Sequence, residues 1–138
     1  MEKVQITVET TVNAPIEKVW QAWTNPEDII GWSFASDDWH TPHATNDLRV
    51  GGSFSSTMAA KDGSFSFDFE GIYDEVVLHE TIAYSLADGR TVKIMFTQNG
   101  DETFISETFD AENENPVEMQ QAGWQAILNN FKKHVENN

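Results

Sequence analysis

The chain has 138 residues, 23 Asp and Glu against 8 Lys and Arg for a formal charge of -15, and no cysteine. That balance repels phosphate backbones and anionic lipid surfaces, so nucleic acid is not expected as a partner. The lack of thiols excludes disulfides, thiolate metal sites and cysteine nucleophiles, and fits a reducing compartment.

The length suits one domain over residues 1–138, able to bury a core without cross-links. No apolar run reaches the roughly 20 residues that cross a bilayer. The opening MEKVQITVET alternates where a signal peptide is continuously apolar. No membrane insertion and a cytoplasmic location are therefore expected.

Val4, Ile6, Val8, Thr10 and Val12 alternate with polar residues, the period of a strand with one covered face. Pro15 suits the first position of a helix, and Ile16, Val19, Trp20 and Trp23 follow at i, i+3, i+4 and i+7. Asn25 with Pro26 repeats the start signal and gives a second short helix through Ile29 and Ile30, before Gly31. Trp20 and Trp23 are expected to pack the helix pair on a core, and Trp32 to stand at the entry of the next segment.

Residues Ser33 to Asn46 have no sustained period and many turn formers, so they are expected to be a long irregular segment. From Asp47 onward come strand patterns separated by KDG, LHE, ADGR and QNGD, of which the Asp-Gly and Asn-Gly pairs signal hairpins and an antiparallel meander. Gly51-Gly52 within the first of these strands suggests a bulge. After AENEN, Asn115 and Pro116 open a last helix reaching about Glu136, with Glu118 placed as a capping-box partner. Val117, Trp124, Ile127, Leu128, Phe131 and Val135 hold its apolar face. At 1.5 Å per residue it is on the order of 30 Å long, enough to cross the sheet.

A bent sheet closing on one helix leaves an interior that bulky side chains fill or that stays open as a cavity. Aromatic residues are 12% of the chain and nine are Phe. Phe65, Phe67 and Phe69, then Ile82, Tyr84 and Leu86, then Val92, Ile94 and Phe96 supply either core or cavity lining. Gln120 falls within the apolar sector of the last helix, where a buried amide needs partners, either a ligand or a strand-end carbonyl. Gly123 flanks that sector at a cost of roughly 0.8–1 kcal/mol relative to alanine, and lets the helix approach the sheet or leaves room for a ligand.

The chemistry is sparse. His40 and His43 lie three apart around Pro42 with no helix to align them, so no metal site is expected. Trp39 can cover an apolar ligand at a cavity mouth, while His40 offers a proton that switches near neutral pH and is the one candidate base. Arg49 either clamps a ligand carboxylate or pairs with Asp47 or Glu70 as scaffolding, the second being favoured. Tyr73, Tyr84 and Glu107 are polar candidates for the wall, with their faces left open where Gly71 interrupts the alternation. Asp68 and Glu70 fall opposite Phe67 and Phe69, against a central carboxylate pair. Neither GxSxG, GxxxxGK[ST] nor a GxGxxG after a strand is present, and no cofactor is expected.

Four pieces, APIEKVWQAWTNPEDIIGW, DLRVGGSF, FEGIYDEV and AGWQAILNNFKKHVE, occur in this order over nearly the whole chain. In them the sequence resembles the single-domain relatives of the activator of the heat-shock chaperone ATPase, within the START-like (SRPBCC, Bet v allergen-like) superfamily. The resemblance implies an α+β helix-grip fold: a curved antiparallel sheet of about seven strands wrapped on a long C-terminal helix, with two short helices after strand one. It also implies an apolar ligand held between sheet and helix, or cyclase, dehydratase or hydrolase chemistry in that space. A stress-related, cochaperone-like partnership is its least transferable implication, because the eukaryotic cochaperone carries a further chaperone-binding domain for which 138 residues leave no room. The leading expectation is a monomer or weak homodimer that binds a small hydrophobic or amphipathic molecule, a lipid or an aromatic metabolite. Trp32, Trp39, His40, Phe67, Phe69, Tyr84, Ile94, Phe96, Gln120 and Trp124 are expected around it.

Overall fold

The computed structural model describes residues 4–137; residues 1–3 and Asn138 of the expected domain lie outside the described residues. In chain order the elements are β1 (Gln5–Val12), α1 (Ile16–Thr24), α2 (Pro26–Ile29), β2 (Trp39–Asn46), β3 (Ser53–Ala60), β4 (Ser66–Val77), β5 (Thr81–Leu86), β6 (Thr91–Asn99), β7 (Glu102–Asp110) and α3 (Val117–Glu136). The strands form one antiparallel sheet in the order β1-β7-β6-β5-β4-β3-β2. This is the helix-grip arrangement, an α+β fold in which a curled sheet holds the C-terminal helix. No helix among the described residues is long and apolar enough to cross a membrane.

Local chemistry accounts for most of the boundaries. Asn25 caps α2 by accepting a hydrogen bond from the Glu27 N–H at 3.2 Å, and Pro26 occupies the first helical turn. Gly89 and Gly100 take φ of 92° and 65° in the β5–β6 and β6–β7 hairpins, the left-handed geometry that such tight turns require. Register shifts between His40 and His43 and between Tyr73 and Glu75 bend the sheet on β2 and β4.

Four expectations fail here for physical reasons. The segment expected to be irregular supplies β2, an edge strand that pairs with β3 alone. Pro42 falls inside the register shift, where a missing N–H costs the ladder nothing, so a proline-bearing segment still pairs. Gly51 and Gly52 are not a bulge within a strand. They close the connection between β2 and β3, with Gly51 at φ 84° and both backbones bonded to Tyr73 at 2.9 Å. Glu118 forms no capping box, because α3 is capped at Pro116 without a side-chain bond. Val117 is 39% exposed and so lies off the buried face of α3.

The core is built on β1, β6 and β7 with α1 and the C-terminal half of α3. Val8, Val12, Val19, Ile105, Leu128, Phe131 and Val135 are enclosed there. The α3 backbone packs most extensively on β1 and over a smaller stretch on α1. Its other flank faces the curled half of the sheet across the space that remains.

The candidate ligand cavity between sheet and C-terminal helix

Between α3 and the inner faces of β3 to β7 lies a cavity of about 410 Å3. This falls within the roughly 300–1,000 Å3 of typical small-molecule sites. Strand alternation sets its walls: Phe54, Ser56 and Met58 project inward from β3, Phe67, Phe69 and Tyr73 from β4, and Ile82 and Tyr84 from β5. Ile94 and Glu107 complete the sheet side, and Trp124, Ile127 and Leu128 form the roof on α3. Ser56, buried and short, keeps the β3 wall from filling the space.

Ring packing fixes the roof. Trp124 stacks on Phe109 at 3.8 Å with the planes 11° apart, and meets the edge of Phe69 at 6.1 Å. It therefore bridges the helix to both halves of the sheet without occupying the centre. At the inner end Trp23, Trp32 and Phe131 pack at centroid distances of 4.8–5.0 Å, and the Trp32 Nε1–H donates to the Ala22 carbonyl at 3.0 Å. A second recess of about 320 Å3 adjoins the first, sharing Met58, Phe67, Asn115, Gln120, Trp124 and Ile127 as walls.

Three polar groups on the lining have distinct environments. Tyr73 donates its hydroxyl hydrogen to Asn46 Oδ1 at 2.5 Å, and Asn46 Nδ2 donates to the Thr24 carbonyl at 2.7 Å, tying β4, β2 and α1 together. Burial raises the Tyr73 pKa to about 12. Burial, and then the nearby Glu107 charge, hold the Tyr84 hydroxyl well above its ordinary pKa of 10.0. Glu107 is itself only 6% exposed, and burial lifts its carboxyl to about 8. At neutral pH it is mostly the uncharged acid, which can donate a hydrogen bond or a proton. The lining offers neither His nor a second carboxylate on the facing helix to complete an acid–base pair.

Residues 13–136 match the model of a family described as activator of Hsp90 ATPase homolog 1-like protein. The chain belongs to that family. The AHSA1-like protein of Aeromonas hydrophila, known from a solution structure, is 45% identical, with a TM-score of 0.91 over 97% of this chain and 93% of that one. A protein from Cytophaga hutchinsonii is 58% identical with a TM-score of 0.84, again over 97% and 93%. A Chromobacterium violaceum protein at 23% identity, with a TM-score of 0.86 over 97% and 98%, shares the fold. Comparison with curated proteins gives no match.

In this AHSA1-like chain the residues expected around a ligand separate into groups. Trp32, Phe67, Phe69, Tyr84, Ile94, Gln120 and Trp124 all line the cavity. Trp32 is buried at its inner end, and Trp23, expected as core, joins the lining beside it. Trp39 lines only the outer recess, where it meets Phe65 and Phe67 edge-on at 6.1 Å. Phe96 is buried core against Trp20 and Trp23 and does not reach the cavity. His40 is exposed on β2 and lines neither space, so it is out of hydrogen-bond reach of anything held inside. Arg49 has the scaffolding contact, its Nε 2.9 Å from Asp47 Oδ2 on the surface.

Gln120 resolves toward backbone carbonyls. Its Nε2 donates to the carbonyls of Glu112 at 3.2 Å and Asn115 at 2.8 Å, while its Oε1 accepts from the Glu112 N–H at 2.9 Å. The amide thus orders the β7–α3 connection at the cavity rim. Gly123 makes no close approach: a methyl group built there meets nothing within 4 Å. Gly123→Ala is therefore expected to stabilise the protein by about 0.8–1 kcal/mol, read as a higher urea midpoint at unchanged slope.

Glu107, a wall candidate whose face the sequence left open, lies on the lining. Its signal was its parity, because Ile105, Glu107 and Phe109 share one face of β7 and the two neighbours are enclosed.

Proposed function

We propose that this chain binds a small hydrophobic or amphipathic molecule, a lipid or an aromatic metabolite, between the sheet and α3. The observation that carries the reading is a space of about 410 Å3 between sheet and helix whose lining surface is mainly apolar and rich in aromatic rings. An ordinary core packs to crystal-like density and leaves no void of that size. The exposed Phe65, Phe67 and Met119 beside the outer recess give an apolar molecule a path inward.

Native mass spectrometry of gently purified protein, paired with a thermal-shift panel of neutral lipids and aromatic metabolites, tests this. A ligand held at 100 times its Kd adds about 2.7 kcal/mol, a rise in Tm on the order of 10 °C. Retained mass or such a rise is expected; bare protein and an unmoved Tm across the panel contradict the reading.

A further inference from the structure

Glu107 occupies a cross-strand row on the inner sheet face whose other members are Val8, Ile94, Ile82 and Val76. It is the one acid among aliphatic neighbours. Among the described residues no protein hydrogen bond ends on its carboxyl or on the Tyr84 hydroxyl, whereas every fully enclosed side-chain N or O has a partner. Both groups therefore direct their polar atoms at the open space they line.

The other charged or titratable lining groups are already engaged. Tyr73 on β4 donates to Asn46, Arg90 before β6 donates to Asp88 at 2.7 Å, and Glu112 after β7 accepts from the Asn115 N–H at 2.7 Å. The lining residues of α1, α2, β2, β3, β6 and α3 include no charged or titratable side chain. Resting on the reading of this space as a ligand site, we propose that its ligand is an uncharged, largely aromatic molecule bearing one acceptor oxygen. That ketone, ester or ether oxygen accepts a hydrogen bond from the Glu107 carboxyl beside Tyr84.

Physical chemistry favours this class over charged ones. Burial keeps Glu107 neutral up to about pH 8, so its free O–H is a donor left without a protein acceptor. An ammonium ligand requires the acid to ionise in an apolar wall, and a carboxylate ligand brings a buried charge while the lining cation Arg90 is held by Asp88.

The test uses four molecules of one shape: benzophenone, diphenylmethane, benzhydrylamine and diphenylacetate, titrated into the full chain by calorimetry. Benzophenone is expected to bind about tenfold tighter than diphenylmethane, which lacks only the oxygen. In Glu107→Leu that preference disappears. In Glu107→Gln, whose amide still donates, it persists, and the loss of affinity that the native chain shows from about pH 6 to about pH 9 is abolished. Equal binding of the hydrocarbon and the ketone, or tightest binding of the amine or the acid, overturns the proposal while leaving a ligand site. Failure of all four to bind defeats the ligand-site reading as well. Circular dichroism of both variants confirms that they are folded.

Discussion

Glu107→Gln raises the midpoint of thermal unfolding by on the order of 10 °C at about pH 9 and leaves it nearly unchanged at about pH 5. The cause is burial, which lifts the folded-state pKa to about 8 from the ordinary 4.5. Between those values the unfolded chain has released the proton while the folded chain retains it, so folding takes up a proton. Stability attached to Glu107 is therefore complete below about pH 4.5, falls as pH rises, and is gone above about pH 8. A shift of this size corresponds to several kcal/mol, an appreciable part of the 5–15 kcal/mol typical of a domain. The glutamine variant has no proton to lose, so the difference between the two proteins isolates this group from the rest of an acidic surface. Parallel pH profiles of native and variant midpoints contradict the placement of this carboxyl in an apolar wall.

Phe131→Ala is expected to cost about 3–5 kcal/mol in urea unfolding. Phe131 is fully enclosed, and its ring meets the edges of Trp23 and Trp32 at 4.8 and 4.9 Å, so it ties α3 to the helix pair that closes the inner end of the cavity. Truncation removes the apolar area and leaves a void that two indoles cannot collapse into without leaving their rotamers. Val117→Ala, on the exposed side of the same helix, is expected to stay within about 0.5 kcal/mol. A small loss at Phe131 shows that the aromatic cluster is not a packed unit.

The fold was legible because its signals are local. The alternation of β1, the Asp-Gly and Asn-Gly turns, and the 3.6-residue period of α3 each specify an element independently of the others. β2 was hidden because an edge strand pairs on one side only, so it tolerates Pro42 and the two histidines that blur its period. The capping box at Glu118 satisfied a sequence pattern that the chain leaves unused, since Gln120 reaches back to the connection instead.

The site was legible only in part. Inward-facing Phe69, Tyr84 and Ile94 follow from alternation, but a cavity is what remains after side chains from many elements are placed. The difference between Phe96 in the core and Ile94 on the wall is set by the nearby α1, whose Trp20 and Trp23 cover the Phe96 ring. The face of Glu107 was left open although Ile105 and Phe109 share its parity, and its chemistry depends on an enclosure that no sequence window contains.

The most direct test of the central claim is an isotope-filtered NMR experiment on methyl-labelled protein saturated with benzophenone, recording which methyl groups transfer magnetisation to the ligand. The predicted result includes contacts from Ile82, Ile94 and Leu128, methyl-bearing residues that line the space between sheet and helix and not the outer recess. Contacts confined to Met119 in the outer recess or to exposed Val77 and Leu78, or none at all, would contradict it.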